Sequence, residues 1–268
     1  MTYCVAIKVN DGLVFTSDTR TSAGVDDVRT YNKMHVFEYP GERVFVLMSA
    51  GNLATTQSVL TQIRRDLAAP VVPMSLMLAK HMYDAAEYVG SLSVNAQKGV
   101  SQQSQFGGVD LRTTLILGGQ IAGEEPALYM IYPEGNCIAS SPEMPYLQIG
   151  ENKYGKPILD RIIHEDTSLE DAARCALVSL DSTMRSNISV GPPLDLSIIR
   201  TDGMQIDQKL RLDLDTPFYA SLKESWARNI AAIFTNLPRF EWESEVSPQQ
   251  DMLIDEIKPD QPPVRRIV

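Results

Sequence analysis

Cysteine, histidine and positive charge are all scarce in this 268-residue chain, and each scarcity removes a class of function. Cys4, Cys137 and Cys175 form an odd, widely spaced set with no C-x-x-C, which excludes a disulfide framework and a thiolate zinc site. They read as buried small apolar residues. The three histidines, His35, His81 and His164, lie far apart and sit in no H-E-x-x-H, so a His-based zinc site has no basis. Lysine and arginine number 24 against 34 acids, and the resulting charge of −10 repels a phosphate backbone, so nucleic acid is not an expected partner. Long hydrophobic runs are missing too. Leu67 to Ala79 is shorter than the roughly 18 to 20 residues that a bilayer span needs, and Pro70 and Pro73 interrupt it. Lys8, Asn10 and Asp11 break the opening segment, which removes a secretory signal and leaves the cytoplasm as the expected location.

What is present is the composition of a folded chain, with 44% apolar and 22% charged residues. Tyr3 to Val9 and Leu13 to Ser17 alternate around Asn10-Asp11-Gly12 and read as a hairpin. After a polar loop, Thr19 to Asn32, a second hairpin joins Met34 to Glu38 with Arg43 to Ser49. Asn52 offers an N-cap for a helix that ends near Pro70. A second helix is expected after Pro73, carried by a stripe from Met74 to Leu92, and then a surface loop from Asn95 to Asp110. Strands are expected at Thr113 to Ile121, Ala127 to Tyr132, Asn136 to Ser140 and Tyr146 to Ile149. Helices return at Lys156 to His164 and Leu169 to Arg185, the latter opened by Thr167 as cap with Glu170 reaching back. A hairpin of Leu194 to Arg200 with Met204 to Leu212 and a helix from Phe218 to Phe234 complete the order.

Helices arriving in pairs after antiparallel strands disfavour a doubly wound sheet and fit two stacked antiparallel sheets with helices on both outer faces. This divides the chain into a domain over residues 1–238 and an extension over 239–268. From Phe240 to Val268 the chain holds seven acids, three bases and four prolines, so it is not one continuous helix. Trp242, Leu253, Ile254 and Ile257 give it apolar anchors suited to a neighbouring subunit.

Several motifs carry no chemistry. Leu47 stands where a nucleophile elbow around Ser49 would need its first glycine, and Gly118-Gly119 belongs to a strand and opens no helix. Thr2 is different. Removal of Met1 would give it both a hydroxyl and a free α-amine, whose ordinary pKa of about 7.7 to 8 suits a base that accepts a proton and returns it. Asp18 in Ser17-Asp18-Thr19-Arg20 and Lys33 close the two ends of the polar loop, and a buried Lys paired with Asp favours the alkoxide of a nearby hydroxyl. Gly51 follows the fourth strand, where an unshielded amide can face a developing oxyanion.

Thr2, Ser17-Asp18-Thr19-Arg20, Lys33 and Ser49-Ala50-Gly51 together resemble the proteasome β-subunit family of N-terminal nucleophile hydrolases. Met1-Thr2-Tyr3-Cys4-Val5, Lys33-Met34-His35-Val36-Phe37 and Ile149 to Pro157 resemble, more narrowly, its bacterial branch called Anbu. The resemblance covers about residues 2 to 235. It implies an α+β fold, a four-layer αββα sandwich. It also implies that Thr2 is the nucleophile, that Asp18 holds Lys33, that Gly51 donates to the oxyanion and that Arg20 braces the loop. Two positions depart from the family pattern. Glu151 stands where a serine lies beside the amine, and Ser186 stands where an aspartate precedes S-x-G, while Ser189 keeps the second serine. One carboxylate has moved between the amine's partners, which suggests that Glu151 orients the amine and raises its pKa.

The resemblance thus implies a threonine-type peptidase acting on peptide or protein within a ring or spiral homo-oligomer, with no metal or cofactor. Two alternatives stay open: an assembly subunit with weak or no turnover, and an amidase or transpeptidase acting on a small non-protein peptide. An ATPase partner is not readable from the sequence.

Overall fold

The computed structural model describes residues 2–22, 28–103 and 110–245. Leu253, Ile254 and Ile257, three of the expected tail anchors, lie outside that range. β1 (Tyr3–Val9) and β2 (Gly12–Asp18) form the first hairpin, and the expected polar loop contains a second small one, β3 (Arg20–Ser22) with β4 (Val28–Thr30). β5 (Met34–Tyr39), β6 (Arg43–Gly51), α1 (Leu53–Ala68) and α2 (Met82–Gln103) follow. Next come β7 (Thr113–Ile121), β8 (Ala127–Ile131), β9 (Cys137–Ala139), β10 (Tyr146–Gly150), α3 (Lys156–Ile162) and α4 (Leu169–Ser186). β11 (Leu194–Arg200), β12 (Gln208–Leu212) and α5 (Pro217–Thr235) complete the order.

The strands make two five-stranded sheets, β10-β1-β2-β11-β12 and β5-β6-β7-β8-β9, in which every neighbouring pair is antiparallel. Period-two alternation explains how they stack. Cys4 and Ala6 of β1 turn inward with Leu13 and Phe15 of β2 to meet Val44, Val46 and Met48 of β6, which forms the core between the sheets. Tyr3, Val5 and Ile7 turn outward onto Leu169, Ala172, Ala176 and Leu180 of α4. On the opposite outer face Phe45, Leu47, Leu115 and Leu117 pack against α1 and α2 through Val59, Leu60, Ile63 and Val89. This is the expected αββα sandwich. Gly118 is one place where the layers demand glycine, because a Cβ there would lie 2.6 Å from the ring of Phe15.

Four local expectations are revised. α2 begins at Met82, not after Pro73, because Asp84 Oδ2 accepts the amides of Lys80 and His81 and so starts the helix there. The same helix runs on to Gln103, through most of the segment that reads as loop, since Gln and Ser carry only a small helix penalty. Ser168, not Thr167, caps α4 by accepting the Asp171 amide at 3.1 Å. The last hairpin has only Gln208–Leu212 as its second strand, because a turn with Asp202 and Met204 at positive φ precedes it. Cys4 and Cys175 are buried as expected, while Cys137 is only half-buried.

The chain divides into two compact units, residues 1–226 and 227–268, with the division inside α5. In the first, α5 contributes buried Tyr219, with Leu222 packed on the α4 core. In the second, the Phe240 and Trp242 rings stack at 4.4 Å, and Ile233, Phe234 and Trp242 are 63%, 72% and 71% exposed. Among the described residues no helix is long and apolar enough to cross a membrane.

Candidate active site

Thr2 immediately precedes β1 and is held through backbone on both sides of its peptide link to Tyr3. Its carbonyl accepts the Glu151 amide at 2.7 Å, and the Tyr3 amide donates to Asp18 Oδ1 at 2.9 Å. The register Tyr3↔Gly150 brings this corner against the end of β10. Gly150 adopts φ +85°, and a Cβ on it would lie 2.0 Å from the Thr2 carbonyl oxygen, so only glycine permits this approach. Tyr3 fixes the corner from below, where its buried hydroxyl shares a 2.5 Å hydrogen bond with Ser179 of α4.

Asp18 ends β2 and is the hub. Its Oδ1 accepts Lys33 Nζ at 2.7 Å as well as the Tyr3 amide, and its Oδ2 accepts the Gly191 amide at 3.2 Å. The Asp18 side chain is fully buried and that of Lys33 is 6% exposed, so this is an ion pair removed from water. Burial raises the Asp18 pKa, and the Lys33 charge with the three donated hydrogen bonds opposes that rise. Lys33 Nζ also donates to the Arg20 carbonyl at 2.5 Å. Arg20 in turn donates through Nη1 to the Ile188 carbonyl at 2.8 Å, which links the loop to the segment after α4. The Lys33 carbonyl accepts the Ser49 amide at 3.0 Å, which sets Ser49-Ala50-Gly51 beside the lysine. Gly51 ends β6 at φ +113°, where an added Cβ would meet the Arg112 carbonyl at 2.5 Å.

Glu151 follows β10 and is only 4% exposed. Oε1 accepts the Lys153 amide at 3.0 Å, and Oε2 accepts Asn187 Nδ2 at 3.0 Å. Asn187 Oδ1 then accepts the Ser189 amide at 3.0 Å. Ser189 is thus tied to Glu151 through Asn187. Ser186 ends α4 with an exposed side chain, and no described hydrogen bond links that side chain to Thr2, Asp18 or Glu151.

The sequence reading missed Tyr3, Gly150, Asn187 and Gly191. Gly150 and Asn187 lie inside motifs noticed for their neighbours, whereas the Gly191 contact is a backbone amide that no residue type announces. Cys4 also lies here, its Sγ 3.7 Å from the Ser49 carbonyl, and burial raises its pKa, so it is a packing thiol and not a nucleophile. Among the described residues no cluster of His, Cys, Asp and Glu is arranged to hold a metal ion.

Comparison with known proteins places this geometry. The family model described as proteasome subunit matches residues 2–199. The structure of Anbu (ancestral beta-subunit) from Yersinia bercovieri is 44% identical, with a TM-score of 0.84 over 89% of this chain and 99% of that one. A helical assembly of the Anbu complex from Pseudomonas aeruginosa is 43% identical, with a TM-score of 0.83 over 89% of this chain and 98% of that one. A proteasome subunit beta from Haloquadratum walsbyi is 25% identical over 212 residues, 77% of this chain and 76% of that protein.

Proposed function

The chain belongs to the proteasome-subunit family, in its Anbu branch, and from that premise we propose that it is a threonine-type N-terminal nucleophile hydrolase that cleaves peptide amide bonds. The observation that carries the reading is the Asp18 carboxylate, which joins the Lys33 ammonium to the backbone of the residue after Thr2. Removal of Met1 frees the Thr2 amine. Thr2 Oγ1 attacks the substrate carbonyl while its proton passes to that amine, and the Lys33 charge stabilises the alkoxide. The Gly51 amide stabilises the tetrahedral oxyanion. The amine then gives its proton to the leaving nitrogen, and water hydrolyses the Thr2 ester. Glu151 orients the amine, and Asn187 and Ser189 hold Glu151 in place.

Two measurements test the chemistry. The intact mass of the native protein is expected to be lighter by one methionine; a retained Met1 blocks the base and overturns the mechanism. Casein and short peptides are expected to be hydrolysed by the parent and not by Thr2→Ala; equal turnover by the two removes Thr2 as nucleophile.

The same chain works as a large cytoplasmic homo-oligomer, with residues 239–268 contributing contacts between subunits. Supporting this is the helical assembly of the Pseudomonas aeruginosa Anbu complex, together with the apolar side chains left exposed after residue 227. Light scattering should find an oligomer for the full chain and a smaller species after deletion of 239–268. A monomeric full chain refutes the assembly, and an unchanged oligomer refutes the contact.

A further inference from the structure

A cavity of about 500 Å³ opens between β5, the C-terminal half of α1 and β12, lined by Asn32 and Met34 on either side of Lys33 but not by Thr2, Asp18, Lys33, Gly51 or Glu151. Its polar lining is Asn32, His35, Arg64 and Lys209, with Phe37 and Leu67 among its apolar walls, and none of the described lining residues is acidic. In a chain of net charge −10, a cavity whose charged lining residues, Arg64 and Lys209, are both cationic is a local reversal of the field. His35 Nε2 is buried there with no hydrogen-bond partner among the described residues, while the ring's other nitrogen meets the Asn32 backbone. Asn32 Oδ1 is already engaged by Arg211 Nη1 at 3.3 Å. Arg64 is exposed and has no acidic partner among the described residues. Lys209 is also exposed, and its charge acts on Asp195 without forming an ion pair among the described residues.

A buried polar atom with no protein partner calls for a water or a ligand, and His35 Nε2 alone of the six such atoms among the described residues lines this cavity. We propose that the cavity is a carboxylate-binding site, with the anion between Arg64 and Lys209 and its inner oxygen on His35 Nε2. Burial and, second, the Arg64 charge hold the His35 pKa down at about 4, so at neutral pH the ring is unprotonated and Nε2 is an acceptor. A carboxylate neutralises Arg64 and needs a donor on Nε2. The ring therefore takes one proton from solvent as the anion enters, and binding strengthens as pH falls from 7 toward 5. The charged side chains that line the cavity are Arg64 from α1 and Lys209 from β12, and Arg211 behind Asn32 is itself 3.9 Å from the carboxylate of Asp195. The carboxylate can belong to an acidic side chain of a peptide or to a free dicarboxylate.

Isothermal titration calorimetry on the full chain separates these sources without any assay of turnover. The probes are succinate, its neutral analogue succinamide, a short Glu-containing peptide and the same peptide with Gln. Succinate or the Glu peptide is expected to bind, with up to one proton taken up when buffers of different ionisation enthalpy are compared; the neutral partners are expected not to bind. Binding of the Glu peptide alone identifies a peptide side chain as the source, and binding of succinate identifies the free acid. Arg64→Gln and Lys209→Gln, both at exposed positions, should each weaken binding about tenfold. His35→Gln should abolish the proton uptake. The site is refuted if neither carboxylate binds, or if binding survives unchanged in Arg64→Gln/Lys209→Gln.

Discussion

Two buried carboxylates flank the first strand, and they are satisfied in opposite ways. Asp18 is saturated by a lysine ammonium and two backbone amides, so its charge is cancelled where it stands. Glu151 accepts only a backbone amide and a neutral side-chain amide, and no cation pairs with it among the described residues. A buried anion without a counter-charge is costly, whereas a hydrogen-bonded ion pair is tolerated. Asp18 therefore reads as architecture for Lys33, and on the proposed mechanism Glu151 is the carboxylate that would receive the cation of a freed N-terminus.

Breaking the Asp18 side should have the largest effect. Lys33→Met leaves Asp18 buried and unpaired, at a cost of about 3–5 kcal/mol in denaturant unfolding, and turnover should vanish with it. Adding Asp18→Asn should restore most of that stability and none of the turnover. If the double variant is active, the lysine is structural only. Gly150→Ala comes next: it forces a side chain into the left-handed region and onto the Thr2 carbonyl, so at least about 1–2 kcal/mol should be lost and hydrogen exchange at Tyr3 and Glu151 should accelerate.

The Glu151 side sharpens the comparison through pH. Glu151→Gln removes a negative charge near the amine, so the amine pKa falls by about one unit and the free base persists to lower pH. The rising limb of kcat/KM against pH should move down by that amount; an unmoved limb means the carboxylate does not reach the amine. The smallest effect belongs to Asn187→Ala, which frees Glu151 Oε2 and the Ser189 amide. About 1 kcal/mol of stability and a fraction of the Glu151→Gln displacement are expected, and full parental pH behaviour would show that Asn187 only packs.

Legibility in the sequence followed the kind of interaction involved. The sandwich was readable because alternation at Cys4, Ala6, Tyr3 and Val5 reports two buried faces directly. The ion pair was readable because Asp18 and Lys33 are charged residues next to strand ends. Gly191 and the Thr2 carbonyl act through backbone, which side-chain identity does not encode. The start of α2 was hidden by a continuous apolar stripe from Met74 onward. Only the carboxylate of Asp84, three residues past His81, marks where the helix begins. Ser186 shows the converse failure. Its place beside a known motif suggested a role, yet the helix end points it to solvent and its neighbour Asn187 turns inward instead.

The contacts that fix Thr2 fall on its carbonyl and on the Tyr3 amide, both downstream of the Met1–Thr2 bond. Cutting that bond removes none of them. On the proposed mechanism, maturation of this chain is a chemical event and not a conformational one: loss of Met1 would convert an amide nitrogen to a base within a frame already built.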